Sequence, residues 1–223
     1  DDLDISQMFD FKYKEDVEKC FAQLKIHKVE QTGNSTINIK NTDGLIDLSP
    51  CIGIYQEAAY FNKYQIDAAI KLKILLSPEL KYLYSEEVQE SSLDQKILFL
   101  VSLETRQKRY RTQVAAPFVS KAQSELLKAR LKTRLSKDEE AQVPCQIDFS
   151  SQENGHIRFS AKGFADVVKD GMVYELKFVS ELMHEHFLQC ACYMVAIDLQ
   201  KGILWNTRDN TAYEIEIPER KAF

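Results

Sequence analysis

Two short segments late in the chain have the hydrophobic pattern of β-strands. Ile157–Val168 and Met172–Val179 are rich in Phe, Ile and Val, with partial alternation of apolar and polar positions. Asp170 and Gly171 lie between them. An Asp-Gly pair between apolar runs favours the tight turn of a β-hairpin, because both residues tolerate a positive φ. The sequence therefore predicts two adjacent antiparallel strands.

The hairpin is followed by a helical pattern and then by two more strand patterns. At about 100° per residue, His186, Gln189 and Tyr193 fall in one narrow polar stripe of the predicted helix. A broader apolar face of the same helix carries Met183, Phe187, Cys190, Ala191, Met194 and Ile197. Gly202–Asn206 and Ala212–Ile217 then predict two strands. The predicted order is strand, strand, helix, strand, strand.

The earlier part of the chain is mostly helical by pattern. Asp16–Ile26 predicts a helix, and a second helical run extends from Gly53 through Leu76. Thr36–Ile39 and Leu45–Leu48 predict short strands, and the polar stretch Ser85–Asp94 predicts a loop or a subdomain boundary.

Composition limits the class of protein. The chain has 223 residues, of which 44% are hydrophobic, enough to bury one sizeable core. It has no apolar run near the ~20 residues needed to cross a bilayer and no signal peptide, so no membrane partner is expected. Five cysteines without a Cys-x-x-Cys motif indicate reduced thiols and a cytoplasmic or otherwise intracellular protein. The first residue is Asp, which predicts either a domain cut from a larger protein or a chain that lacks a disordered start.

The predicted hairpin carries a constellation of charged residues. Glu175 and Lys177 lie two apart on one strand and project to the same side, and Asp166 lies across the hairpin from Glu175. Two carboxylates with room for water suit Mg²⁺ or Mn²⁺. A lysine beside them can orient or deprotonate a water and neutralise charge on a phosphate. The alternative is a solvated hairpin face, on which such residues carry no function.

The order of these motifs resembles the core of the PD-(D/E)XK nuclease superfamily, specifically its RecB-type branch. The resemblance is carried by Gly163-x-x-Asp166, Glu175-x-Lys177 and Gln189-x-x-x-Tyr193, and it covers roughly sixty residues, about 156–217. The first acid follows Ala165 where the family pattern has proline. The resemblance implies an α/β, restriction-endonuclease-like fold with a mixed sheet flanked by helices. The N-terminal helical region would be an addition to this fold.

The resemblance also implies roles for individual residues. Asp166 and Glu175 would bind Mg²⁺ or Mn²⁺ together with the backbone carbonyl of Leu176, and Lys177 would be the catalytic lysine. Gln189 and Tyr193 would hold active-site backbone or a substrate phosphate. The alternative for this last pair is a boundary position on an amphipathic helix.

Some members of the family have two further features: an acidic or histidine residue before the first strand, and an iron–sulfur cluster. Relatives often carry an acidic or histidine residue on a helix before the first strand, and the best candidate here is Glu57 in Gly53-x-x-x-Glu57. A glutamate in the first turn of a helix is also favoured by the helix dipole alone. Some relatives hold an iron–sulfur cluster with three clustered cysteines after the core. This chain has no cysteine after Cys192, so no iron–sulfur cluster is expected.

Positive charge is concentrated in one segment of an acidic chain. Residues 106–137 contain ten Lys or Arg and one acid, whereas the remainder has 19 basic and 33 acidic residues. Such a patch binds phosphate backbones, and Tyr110, among these cations, could stack on a base. The alternative is a solvated face. The cluster proposed to contact nucleic acid consists of Arg106, Lys108, Arg109 and Arg111.

These observations leave two classes of function. The first is a metal-dependent deoxyribonuclease, which would act in DNA repair or phage defence. The second is a catalytically silent nucleic-acid-binding scaffold of the same fold within a larger assembly. A helicase or ATPase module, if one drives the protein, would lie elsewhere in the polypeptide or on a partner. By sequence, residues 1–150 form an N-terminal region with the motif helix at about 52–76, and residues 151–223 form the nuclease core.

Overall fold

The computed structural model describes residues 3–9, 13–33, 35–39, 44–150 and 158–223. The chain divides into two compact units. The first, called the sheet unit, consists of residues 1–36 and 139–223, and the second, called the helical unit, consists of residues 37–138. The sheet unit is therefore built from two separated parts of the chain.

Within the described residues, the sheet unit contains one sheet of seven strands and two α-helices. The strands are β1 (Leu3–Asp4), β2 (Lys25–Val29), β3 (Glu140–Ser150), β4 (Arg158–Lys169), β5 (Met172–Lys177), β6 (Lys201–Asn206) and β7 (Thr211–Glu216). The helices are α1 (Lys14–Phe21) and α8 (His184–Ile197), and a 3₁₀ turn spans Ile5–Gln7. The predicted mixed sheet flanked by helices is confirmed.

The predicted hairpin between β4 and β5 is confirmed. Asp170 and Gly171 have φ values of 50° and 72°, the left-handed conformation that both central residues of a type I′ turn require. The turn sets the register, in which Val167 faces Tyr174 and Lys169 faces Met172. The start predicted at Ile157 lies outside the described residues.

The β4–β5 ladder is short, and the two strands then separate. Only three residue pairs connect them among the described residues. Farther along the same edge of β4, the parallel strand β1 takes the place of β5 and pairs with Ala161 and Lys162. The other edge of β4 is covered by β3 over ten pairs. This arrangement creates a fork between β4 and β5, and Asp166 and Glu175 are the first residues beyond the ladder.

The remaining strands continue the sheet from β5. Strand β6 runs parallel to β5, and β7 runs antiparallel to β6, as the sequence predicts for Gly202–Asn206 and Ala212–Ile217. Strand β2 pairs antiparallel with β7 and closes this side. A parallel pair needs a crossover connection, and α8 supplies it between β5 and β6.

Helix α8 packs on the sheet through its apolar residues. Cys190, Ala191 and Met194 are fully buried in one cluster with Val173 and Leu204 of the strands. A Cβ at Gly202 would lie 2.7 Å from the sulfur of Met194, so only glycine lets the helix approach β6 this closely. The buried thiols are free, as are all five cysteines.

The helical unit contains six α-helices within its described residues. They are α2 (Ser49–Tyr60), α3 (Ile66–Leu76), α4 (Glu86–Gln89), α5 (Leu93–Thr105), α6 (Arg109–Thr112) and α7 (Lys121–Lys132). Helix α5 begins with a capping box of Ser92 and Gln95, and its buried side chains pack against Ile70 and Ile74 of α3. In the described part of the chain, no helix is both long and apolar enough to cross a membrane.

The structure of the first 150 residues differs from the sequence pattern at several points. Strand β3 was not predicted, because Pro144 interrupts its pattern and its ladder with β4 is a tertiary contact. The predicted boundary at residue 150 falls at the end of this strand. Thr36–Ile39 and Leu45–Leu48 form no strands, since they find no partner strand within the described residues.

The helix predictions need smaller corrections. The helix predicted at Asp16–Ile26 ends at Phe21, and strand β2 begins at Lys25, where pairing with β7 overrides local propensity. The helical run from Gly53 to Leu76 is two helices separated by residues 61–65. The stretch Ser85–Asp94, predicted as a loop or a subdomain boundary, contains α4, for which Ser85 is the N-cap, and it lies inside the helical unit.

Candidate active site

Asp166 lies where β5 separates from β4. The backbone N–H of Leu176 donates a hydrogen bond of 2.8 Å to Asp166 Oδ2. This contact replaces the ladder that ends at the preceding pair, Val167 and Tyr174. It fixes the Asp166 carboxylate beside Glu175, as the hairpin pattern predicts.

Glu175 is a buried acid on the neighbouring strand. Its side chain is 6% exposed. Burial, followed by the negative charge of Asp166, raises the pKa of Glu175 to about 8, although the nearby Lys177 acts in the opposite direction. Within the described residues, Glu175 Oε2 is buried and has no hydrogen-bond partner. A buried carboxylate oxygen without a partner is costly unless a proton or a cation satisfies it.

Lys177 connects the carboxylates to helix α8. Its Nζ lies 3.3 Å from Glu175 Oε1 and donates a hydrogen bond of 2.9 Å to Gln189 Oε1. The ammonium therefore contacts an acid of its own strand and an amide of the following helix. The sequence predicted that these residues share a site, and the structure brings them together.

Gln189 also contacts the N-terminal segment. Its Nε2 donates a hydrogen bond of 2.6 Å to the carbonyl of Ser6, in the 3₁₀ turn after β1. One buried amide thus joins β5, α8 and the segment that occupies the fork. The role predicted for Gln189, holding active-site backbone or a substrate phosphate, stays a prediction. The contact with Ser6 was not predicted, because no local pattern links positions 183 apart.

Two residues at the end of β6 hold the backbone that follows Lys177. The backbone N–H and the hydroxyl of Thr207 both donate to the carbonyl of Lys177, at 2.9 and 3.1 Å. The amide of Asn206 bonds both the N–H and the carbonyl of Val179. Both side chains are fully buried. Neither residue was predicted, and the one available signal in the sequence is a pair of polar residues at the end of a buried strand.

Tyr193 lies one turn beyond Gln189 and packs against β4. A Cβ at Gly163 would lie 3.3 Å from the Tyr193 ring and 3.3 Å from Ile5, so glycine permits this close approach. Burial, followed by the charges of Glu175 and Asp166, raises the pKa of the Tyr193 hydroxyl. The hydroxyl therefore stays protonated and can act as a hydrogen-bond donor near the acids.

The donor set at the fork fits a divalent cation. Among the described residues, no group of three or more His, Cys, Asp or Glu side chains is arranged to hold a metal. The candidate set is smaller, with the carboxylates of Asp166 and Glu175 and the carbonyl of Leu176, and water would complete it. Hard oxygen ligands are those that Mg²⁺ and Mn²⁺ prefer, and the unpartnered Glu175 Oε2 is an acceptor that such an ion would satisfy.

Two histidines at the start of α8 differ in their surroundings. His184 stacks on Phe21 at 3.7 Å and lies 2.5 Å from Glu18, because α1 packs against this turn. His186 lies two residues later in the same turn. Its ring is half-buried, and Lys177 is close enough to influence its pKa.

The remaining predicted residues lie in the helical unit. Glu57 is 8% exposed and lies in the last turn of α2, not in a first turn as the sequence suggested, because the helix begins at Ser49. Its catalytic role stays a prediction from the resemblance. Tyr110 is buried and donates a hydrogen bond to the carbonyl of Asp47, so the prediction that it stacks on a base is wrong.

The four cations of the predicted nucleic-acid cluster are exposed. Arg106 follows α5 in a left-handed conformation and contacts Glu79 and Ser77, each at 3.3 Å. Lys108, Arg109 and Arg111 lie in and just before the short helix α6. Exposed cations on adjacent turns form a surface that an anionic polymer can reach.

Comparison with known proteins supports the class of the site. Residues 112–216 match the PD-(D/E)XK nuclease superfamily. The matched segment contains the metal-binding candidates, Lys177, Gln189 and Tyr193, and the mixed sheet with flanking helices agrees with a restriction-endonuclease-like fold. No curated protein matches the chain.

One solved structure is also similar. It is described as the crystal structure of SSO0001, with a TM-score of 0.36 and 20% identity over 73% of this chain and 82% of that chain. A likeness at this level carries no argument about function.

Proposed function

We propose that this protein is a metal-dependent nuclease that hydrolyses phosphodiester bonds of DNA. The observation that supports the proposal best is the connected set at the fork, in which Asp166, Glu175, Lys177 and Gln189 adjoin one another and one buried carboxylate oxygen lacks a partner. A lysine beside a buried acid and a second, half-buried acid is costly to keep in a site that serves only as a scaffold.

Each residue has a distinct task in this proposal. Asp166, Glu175 and the Leu176 carbonyl would hold Mg²⁺ or Mn²⁺, and such an ion would supply the positive charge that polarises a phosphate oxygen and favours ionisation of a water. Lys177 orients the attacking water and offsets negative charge on the phosphate. Gln189 holds the ammonium in place through its Oε1, and Asn206 and Thr207 fix the backbone beyond it.

The proposal extends to the substrate and to the branch of the superfamily. The order of the motifs supports the RecB-type branch, and the exposed cluster Arg106, Lys108, Arg109 and Arg111 supports contact with a nucleic-acid backbone. Action in DNA repair or phage defence, with a helicase or ATPase module in the same chain or on a partner, would follow from that branch.

The test is a digestion assay with the purified protein. Linear and circular DNA and RNA, single- and double-stranded, are incubated with Mg²⁺, Mn²⁺ or EDTA. We expect cleavage of DNA that EDTA abolishes and that an Asp166→Ala variant lacks. Binding of DNA without cleavage under all conditions would instead support the silent scaffold, and cleavage of RNA alone would correct the substrate.

A further inference from the structure

His186 lies one helical turn before Gln189 and has a defined tautomer. The backbone N–H of Met183 points at its Nδ1, at a distance of 2.9 Å. A backbone N–H can only donate, so Nδ1 must carry a lone pair and the proton of the neutral ring must be on Nε2. The cap of the helix therefore turns this histidine into a donor of fixed direction.

The ring is also held in the neutral state. Burial, followed by the positive charge of Lys177, lowers the pKa of His186 to about 4. At neutral pH the side chain consequently carries no charge and keeps one N–H. The neutral ring of His186 can therefore act in the site as a hydrogen-bond donor. At neutral pH it neither adds a positive charge nor takes up a proton.

The position of His186 relates this donor to the candidate active site. His186 and Gln189 share one stripe of α8, and Gln189 bonds the Lys177 ammonium. Within the described residues, no hydrogen bond to His186 Nε2 is formed, and its ring is half-buried. The first turn of a 14-residue helix also carries the positive end of its dipole. An unpartnered N–H here, beside an ammonium, suits a phosphate oxygen.

We propose that His186 Nε2–H donates a hydrogen bond to a non-bridging oxygen of the substrate phosphate, beside the Lys177 ammonium. The inference rests on the proposed nuclease function and assigns that site a further substrate-binding residue. His184, two residues earlier, has no such role, because its ring is stacked on Phe21 and paired with Glu18.

Two conservative variants separate the functions of the two ring nitrogens. In His186→Asn, the amide oxygen can take the place of Nδ1 and accept from Met183, but no donor reaches the position of Nε2. In His186→Gln, the longer amide can place an N–H near Nε2, and its oxygen can still accept from Met183, as Gln95 does from Ser92 at the same position of α5. His184→Asn is the matched control on the same turn. Cleavage rate, DNA affinity in Ca²⁺ and thermal stability are measured for all three.

The two roles predict different results: a phosphate donor predicts unequal cleavage by the two variants, whereas a helix cap predicts equal cleavage. Because a preorganised donor to a charged oxygen typically contributes about 10²-fold to a rate, we expect His186→Asn to cut at least about 10-fold more slowly than His186→Gln, although both variants can keep the cap. The Asn variant should also bind DNA more weakly than the Gln variant. If the Asn variant instead cuts and binds like the wild type, or if loss of activity follows loss of thermal stability, His186 is only a helix cap and the inference fails.

The outcome can be distinguished from failure of the proposed function. A wild-type protein that binds DNA without cutting it would contradict the nuclease proposal, and the ranking of the two variants in DNA affinity would still test His186. If the wild-type protein cuts DNA and both variants cut at equal rates, the nuclease proposal is supported and the inference that His186 contacts the substrate fails.

Discussion

The protein carries charge in two regions that follow different rules. At the fork of the sheet unit, Asp166, Glu175 and Lys177 are largely buried and each bonds to a neighbour. In the helical unit, Arg106, Lys108, Arg109 and Arg111 are exposed. Burial makes each group depend on its partners, so removing one leaves an uncompensated charge or dipole. Exposed charges are screened and nearly independent, and their effects should be small, additive and dependent on salt.

The largest effect is expected for Lys177→Ala. Loss of the ammonium should lower the cleavage rate by about 10²–10⁴-fold, the usual contribution of a positioned acid or base. Metal-induced thermal stabilisation should persist, since the oxygen ligands remain. Lys201→Ala is the control, because this lysine also pairs with an acid on a strand but is half-exposed. Cleavage by Lys177→Ala at the wild-type rate would contradict a catalytic role for Lys177.

A second effect concerns metal binding by Glu175. An ion that binds only the folded state stabilises the wild type by about 2.7 kcal/mol at a concentration of 100 times Kd. Glu175→Gln keeps the shape of the side chain but removes its charge, so this stabilisation by Mg²⁺ or Mn²⁺ should disappear. Thermal unfolding with and without metal measures this stabilisation. Glu181→Gln, at an exposed position, is the control. An unchanged stabilisation in Glu175→Gln would place the metal elsewhere.

An intermediate effect is expected for Gln189→Leu. The change leaves the Lys177 ammonium without its amide acceptor and the Ser6 carbonyl without its donor. Each buried group left unsatisfied costs about 1–3 kcal/mol, so the free energy of unfolding should fall and cleavage should fall with it. Gln65→Leu is the matched control, since that amide makes one exposed hydrogen bond of 3.4 Å. Equal stability of both variants in denaturant titrations would contradict the bridging role.

The smallest effect on stability is expected at the basic cluster. Replacing all four cations by Gln should barely change thermal stability, because surface contacts such as that of Arg106 with Glu79 contribute little. The slope of log affinity against log salt should fall by about 0.7–0.9 for each phosphate contact removed.

The measurement is a salt titration of DNA binding in Ca²⁺. A matched control replaces four exposed lysines outside the cluster, and it should leave the slope unchanged: Lys14, Lys19, Lys28 and Lys71. If the cluster variant and the control variant give the same slope, the cluster is only a solvated face.

The features that could be predicted from the sequence are those that depend on neighbouring residues in the chain. The hairpin, Asp166, Glu175 and Lys177 follow from local rules, because an Asp-Gly turn fixes the register within a few residues. The helix stripe with Gln189 follows from a period of 3.6 residues. Exposure of the four cations also agrees with the usual behaviour of charged side chains.

The parts that were missed depend on distant contacts. Strand β3 is defined by its pairing with β4 and contains Pro144. Tyr110 lies among cations but is buried by a hydrogen bond to a carbonyl 63 positions earlier in the chain. Ser6, Asn206 and Thr207 become part of the site only through tertiary hydrogen bonds. Periodicity and turn chemistry contain no information about such contacts.

The discontinuity of the sheet unit has a consequence for synthesis on the ribosome. Strand β2 pairs with β7, and Ser6 bonds Gln189, yet the whole helical unit is translated between these partners. The helical unit can fold as it emerges, whereas the first 36 residues must wait for the last 85. During that interval the edge of β2 and the apolar face of α1 have no cover, so nascent chains should recruit chaperones there. The site at the fork can therefore assemble only after Gln189 has left the exit tunnel, later than the helical unit that precedes it in the chain.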